Sequence, residues 1–99
     1  MPEDEEEVYS IVWGSSAKKE IRQIDKRYII DILDVIDSLV DDQTPEDKDC
    51  IKLKGTSKNS PIQYRIRVGG YRIIYEVNNG TVVIKIIRVC KRNDAYKKK

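Results

Sequence analysis

The chain contains no histidine, and so lacks the side chain that most often moves protons near neutral pH. Histidine-based ribonuclease chemistry is thereby excluded, as is any Ser/His/Asp arrangement. Cysteine is scarce. Cys50 and Cys90 lack the paired spacing of a zinc site and are too few for a disulfide scaffold, so both are read as reduced, partly buried thiols. No apolar run approaches the roughly 20 residues needed to span a bilayer. Residues 1–7 are acidic where a secretory signal would be basic and then apolar. A soluble, cytoplasmic protein is the expectation. No glycine loop of the phosphate-cradling kind and no internal repeat is present, so neither metal nor cofactor is expected.

What is there is enough for one core. Ninety-nine residues with 39% hydrophobic content support a single domain, expected over residues 8–99 behind an acidic, flexible tail at 1–7. The net charge of +2 hides an uneven division. Residues 1–47 carry 5 basic and 14 acidic side chains, a balance of −9, whereas residues 48–99 carry 14 and 3, a balance of +11. Clustered Lys and Arg bind phosphates and release condensed counterions, so the second half points to a polyanionic partner. The acidic half would repel the same partner, which confines contact to one face.

Residues 8–13 are β-branched and aromatic and predict a first strand ended by Gly14. Ser15 or Ser16 then caps a helix, with Glu20 suited to the helix dipole. Ala17, Ile21, Ile24 and Tyr28 recur at helical spacing. In a second helix Ile29, Ile32, Leu33, Ile36, Leu39 and Val40 form one apolar stripe, and Asp31, Asp34, Asp37 and Asp41 form a solvated one. The break is placed near 25–27, with an unbroken helix over 17–40 as the alternative. Thr44 and Pro45 begin what reads as a capped helical turn over 44–47.

From Gln63 the period changes to two. Tyr64, Ile66 and Val68 alternate with Arg65 and Arg67, then Gly69-Gly70 turns the chain. Tyr71, Ile73, Tyr75 and Val77 alternate with Arg72, Ile74 and Glu76. Asn79-Gly80 turns it again into a last strand over 81–90, which makes a three-stranded meander. Two-residue loops fix the register. Arg67 then faces Arg72, Arg65 faces Ile74, Val77 faces Val82, Tyr75 faces Ile84, Ile74 faces Lys85 and Arg72 faces Ile87. One face is apolar (Tyr64, Ile66, Val68, Tyr71, Ile73, Tyr75, Val77, Val82, Ile84, Ile86) and should lie under the helices. The other gathers Arg65, Arg67, Arg72 and Lys85. Directly opposed arginines destabilise a sheet by several tenths of a kcal/mol, so the arrangement is either a solvated outer face with splayed side chains or a site for an anion. Lys91, Arg92 and Tyr96 follow the last strand, and guanidinium groups with an aromatic ring suit single-stranded RNA.

The stretch Lys52-Leu53-Lys54-Gly55, followed by YRIRVGGYRIIYEV and IKIIRVCKRNDAY, resembles the RelE/ParE toxin family, its RelE members in particular. The resemblance covers residues 8–97. It implies an α+β fold with an N-terminal strand and a helical hairpin packed on a curved antiparallel sheet. It also implies a type II toxin that enters the ribosomal A site of the small subunit and cuts mRNA. There a ribose 2′-OH attacks the adjacent phosphate, leaving a 2′,3′-cyclic phosphate and a 5′-OH. By the same resemblance Arg72 and Arg92 stabilise the phosphorane, Arg65 and Arg67 hold the scissile region, and Tyr96 stacks on a base or moves a proton. Lys52, Lys54, Lys85 and Lys91 are the further RNA contacts. An arginine is a poor general base, so the base is Tyr96 or no side chain at all. The expected partners are a RelB-like antitoxin, the ribosome and mRNA, with no membrane. The alternatives are a ParE-like inhibitor of DNA gyrase that performs no chemistry and an inactive relative that only binds nucleic acid or an antitoxin.

Overall fold

A computed structural model describes residues 9–45, 49–54, 61–78 and 82–91. The expected tail at 1–7 lies outside them. The elements run β1 (Ser10–Trp13), α1 (Ser15–Arg22), α2 (Lys26–Ser38), β2 (Cys50–Lys54), β3 (Ile62–Val68), β4 (Tyr71–Asn78) and β5 (Val83–Lys91). The strands form one five-stranded sheet in the order β1-β5-β4-β3-β2. β1 joins β5 in parallel and the other pairs are antiparallel, so the α+β reading holds with a mixed sheet. The meander gains a strand that its alternation did not reveal. β2 is a short edge element whose Cys50 and Ile51 pair with Ile66 and Arg65.

The two helices are separate. Asp25 caps α2 with its side chain, which accepts from the Arg27 amide at 3.0 Å, and this excludes the unbroken helix. α1 is capped by Gly14 and not by either serine. The reason is close approach: a Cβ at Gly14 would meet the Ile86 carbonyl oxygen at 3.0 Å. Thr44 lies in a bend, Pro45 has no regular structure, and the rest of the expected turn lies outside the described residues.

Ala17, Ile24, Ile32, Ile36 and Leu39 pack from the helix side onto Ile66, Ile73, Tyr75, Val77, Ile84, Ile86 and Val89. The apolar sheet face is therefore the one read from alternation, with Val89 added. Val82 precedes the strand and does not belong to it. Within α2, Leu33 is 38% exposed, whereas Val35 packs against the core. Among the described residues no helix is long and apolar enough to cross a membrane.

The first hairpin has the derived register, including Arg67 opposite Arg72 and Arg65 opposite Ile74. Gly69 supplies it with φ +60°, the left-handed region that glycine enters without steric cost. The second hairpin differs. Asn78 pairs with Val83, so residues 79–82 connect the strands and the two-residue turn is wrong. Val77 then faces Ile84, Glu76 faces Lys85 and Tyr75 faces Ile86. A β-bulge follows, because Ile74 pairs with Arg88 and Ile87 is the extra residue. Beyond it Arg72 faces Cys90.

Candidate functional site: an arginine-lined sheet face

Asp49, Arg67, Arg72 and Cys90 follow one another across the sheet, on the side away from the helices. Arg67 takes the Asp49 carbonyl with its amide at 3.0 Å and stands opposite Arg72, which stands opposite Cys90. Ile51, Arg65 and Ile74 make the adjacent row. Cross-strand neighbours on one face have Cβ atoms roughly 5 Å apart, so the three arginines form one cluster.

Their environments differ. Arg65 is 7% exposed and Arg72 3%, unusual for guanidinium groups. Arg67 is exposed. The Asp49 carboxylate bridges two of them, with Oδ1 3.5 Å from Arg65 Nη1 and Oδ2 3.1 Å from Arg67 Nη1. Nε and Nη1 of Arg65 are buried with no hydrogen-bond partner among the described residues. Among the described residues Asp49 is shared between Arg65 and Arg67, and paired guanidinium groups suit a phosphodiester held by more than one fork.

The expected lysines do not all join this cluster. Lys85 is on the same face but opposite Glu76, four residues along β4 from Arg72, or roughly 13 Å at the strand rise. Glu76 also accepts from Gln63 at 3.0 Å, so that end of the face is charge-balanced. Lys52 pairs with Tyr64 and Lys91 with Tyr71, which puts both in the register of the helix side. The backbone of Lys54 pairs with Gln63 beyond an irregularity in β2. Arg92 and Tyr96 lie outside the described residues.

Lys91 instead borders a cavity of about 350 Å³ with Tyr71, Ile24, Gln23, Arg88 and Glu20. Glu20 holds the bulge of β5 in place. Its carboxylate accepts from Val89 N and Arg88 Nε, each at 2.7 Å, with Arg88 Nη2 at 2.6 Å. The carboxylate read as a helix-dipole group is therefore an anchor between α1 and β5.

A family model described as the ParE toxin of the type II toxin-antitoxin system parDE matches residues 11–96. The chain belongs to this family. It is a type II toxin of the RelE/ParE superfamily, and solved relatives agree. A chain of the archaeal RelE-RelB complex from Pyrococcus horikoshii OT3 is 33% identical, with TM-score 0.77 over 87% of this toxin and 97% of that chain. The isolated Escherichia coli RelE toxin is 25% identical, with TM-score 0.67 over 84% and 83%. A chain of the RelB-RelE antitoxin-toxin complex from Methanococcus jannaschii is 29% identical, with TM-score 0.65 over 86% and 94%. No curated protein matches the sequence.

Two residues of the toxin's site region escaped sequence reasoning. Asp49 had a signal, being the sole acidic residue in 48–75, the segment that supplies every arginine of the cluster. Glu20 had none, because its partners are about 70 residues away and depend on a bulge.

Proposed function

We propose that this toxin is an endoribonuclease that cuts mRNA in the ribosomal A site by in-line attack of a ribose 2′-OH, and that a RelB-like antitoxin restrains it. The observation that carries the reading is the clustering of Arg65, Arg67 and Arg72 on the sheet face away from the helices, two of them buried and all within one pairing register. Preoriented cations at developing phosphorane charge are worth a few kcal/mol of barrier each. In this reading Arg72 and Arg92 stabilise that charge, Arg65 and Arg67 hold the scissile region, and Tyr96 stacks on a base or moves a proton. Lys54 and Lys85 serve as outlying contacts to the polyanion, whereas Lys52 and Lys91 take the register of the helix side. No side chain here is a strong general base, and the ribosome supplies positioning in compensation.

The antitoxin reading draws on the archaeal relatives, whose chains were solved as RelE-RelB complexes. It is supported by surface on this chain. β2 is an open edge with Ile51 and Leu53 each 44% exposed, and α2 leaves Ile30 72% exposed. Such features accept an added strand or an amphipathic helix.

A second reading, a gyrase inhibitor without chemistry, is favoured by the ParE description of the family model. Induced expression separates them, with mRNA 5′ ends mapped and DNA synthesis followed in the same cells. The nuclease reading expects cuts inside translated codons that vanish with Arg72→Ala and Arg92→Ala. Growth arrest with stalled replication and intact mRNA would replace it with the second.

A further inference from the structure

Asp49 is the one carboxylate that contacts Arg65 and Arg67 among the described residues, and it contacts them loosely. Its separations of 3.5 and 3.1 Å exceed the roughly 2.7–2.9 Å of a tight charge-assisted bond. Its side chain is 47% exposed, whereas that of Arg65 is 8% exposed. One half-solvated anion is thus shared by two cations, one of which has buried Nε and Nη1 without hydrogen bonds.

We propose that Asp49 is a displaceable counter-ion that stands where an RNA phosphate goes, and so weakens binding of RNA by the free toxin away from the ribosome. The proposal rests on the RNA reading above. A carboxylate and a phosphodiester each bring one negative charge and paired oxygens to a guanidinium fork. Displacement needs only the Asp49 side chain to turn, because its backbone is fixed by the 3.0 Å bond from the Arg67 amide. The exchange keeps the charge at the arginine pair constant and releases the carboxylate to water. A phosphate already positioned by the ribosome has met its ordering cost and displaces Asp49 readily. A mobile RNA in solution has not, so the same carboxylate discriminates against it.

The test is binding of a 2′-O-methyl single-stranded oligonucleotide, which cannot be cleaved, to the full chain at 0.1 M salt by fluorescence anisotropy. One further phosphate contact on a single strand changes log affinity by about 0.7 per log unit of salt, which is about 5-fold at 0.1 M. Asp49→Asn is therefore expected to bind about 5-fold tighter with a steeper salt slope, and Asp49→Glu to restore the wild-type value. The gain should vanish when Arg67→Ala is added, and Glu76→Gln, a charge removed elsewhere on the same face, should produce no comparable gain. Unchanged or weaker binding by Asp49→Asn overturns the proposal, as does an equal gain from Glu76→Gln. Should Asp49→Asn fail to fold, the wild-type Asp49 carboxylate carbon is followed by NMR during titration with the oligonucleotide. A signal that stays put while the Arg67 side chain shifts overturns the proposal too. Cleavage is measured separately in a translating extract. A tighter Asp49→Asn without cleavage by the wild type refutes the nuclease reading alone, and cleavage without the gain refutes the displacement alone.

Discussion

Tyr75 is the largest fully buried side chain and ties three parts of the toxin together. Its hydroxyl donates to the Gln43 carbonyl at 2.7 Å and lies 3.2 Å from Cys50 Sγ, while its ring stacks on Tyr64 at 5.6 Å. Tyr75→Phe should leave a carbonyl unmatched and cost about 1 kcal/mol, read as a lower urea midpoint at unchanged slope. Burial, followed by the hydrogen bond with Cys50, pushes the Tyr75 hydroxyl well above its ordinary pKa of 10.0. A proton held more tightly in the folded state contributes stability that is complete below the ordinary value and is lost as pH rises above it. Wild type should therefore lose stability above pH 10.0, and Tyr75→Phe should lose less over that range. Arg72→Lys keeps a charge but not the planar fork, so cleavage should fall at least about 10-fold, or about 1.4 kcal/mol of barrier. Retained cleavage would leave Arg72 with only a structural role. The place of Arg72 on the arginine-bearing sheet face was legible because its neighbours alternate and Gly69-Gly70 fixes what it faces. Its burial was not, because alternation reports which face a residue occupies and not how deeply it sits there.

At the level of elements, what could be read was whatever local chemistry determines. A 3.6-residue stripe placed α2, and the period of two placed β3, β4 and β5. The second hairpin misled because Asn-Gly is a strong turn signal, yet the strands pair from Asn78 and Val83. Val82 adopts φ +48° there, a conformation a β-branched residue rarely takes, so strand pairing overrides local preference. The bulge in β5 was hidden for a related reason, since its anchor is Glu20 on α1. Glu20→Gln should destabilise the fold by about 1 kcal/mol, reduced from the value for a buried charged bond because Arg88 is partly exposed. Hydrogen exchange is the sharper readout. The Val89 amide should exchange faster in the variant, and an unchanged rate would mean that the bulge stands without Glu20. Asp25 offers a pH counterpart. The Arg27 amide, then its side chain, holds the Asp25 carboxyl below its ordinary value, so its support for the helix junction is present above that value and fades as pH falls through the lowered one. Asp25→Ala should lower the melting temperature at neutral pH, and the difference from wild type should shrink in acid.

The whole molecule divides its charge as it divides its layers. Among the described residues the acidic half supplies both helices, and the basic half supplies four of the five strands with the arginine cluster on their outer face. Such an object presents one side to a polyanion and turns the other away. This division and the family were both legible in the sequence, and the chain belongs to the RelE/ParE superfamily. The role of Asp49 was not legible, because it depends on an edge strand that is too short to show a period. The proposed activity is cleavage by the arginine face of RNA presented by the ribosome. The most direct measurement is a reaction of the purified toxin with a defined mRNA, with and without ribosomes stalled with an empty A site, followed by analysis of the RNA ends. The expected result is cleavage at the A-site codon only with ribosomes, 2′,3′-cyclic phosphate and 5′-OH ends, and loss of both on Arg72→Ala. Intact mRNA under those conditions, or cleavage that survives Arg72→Ala, would contradict it.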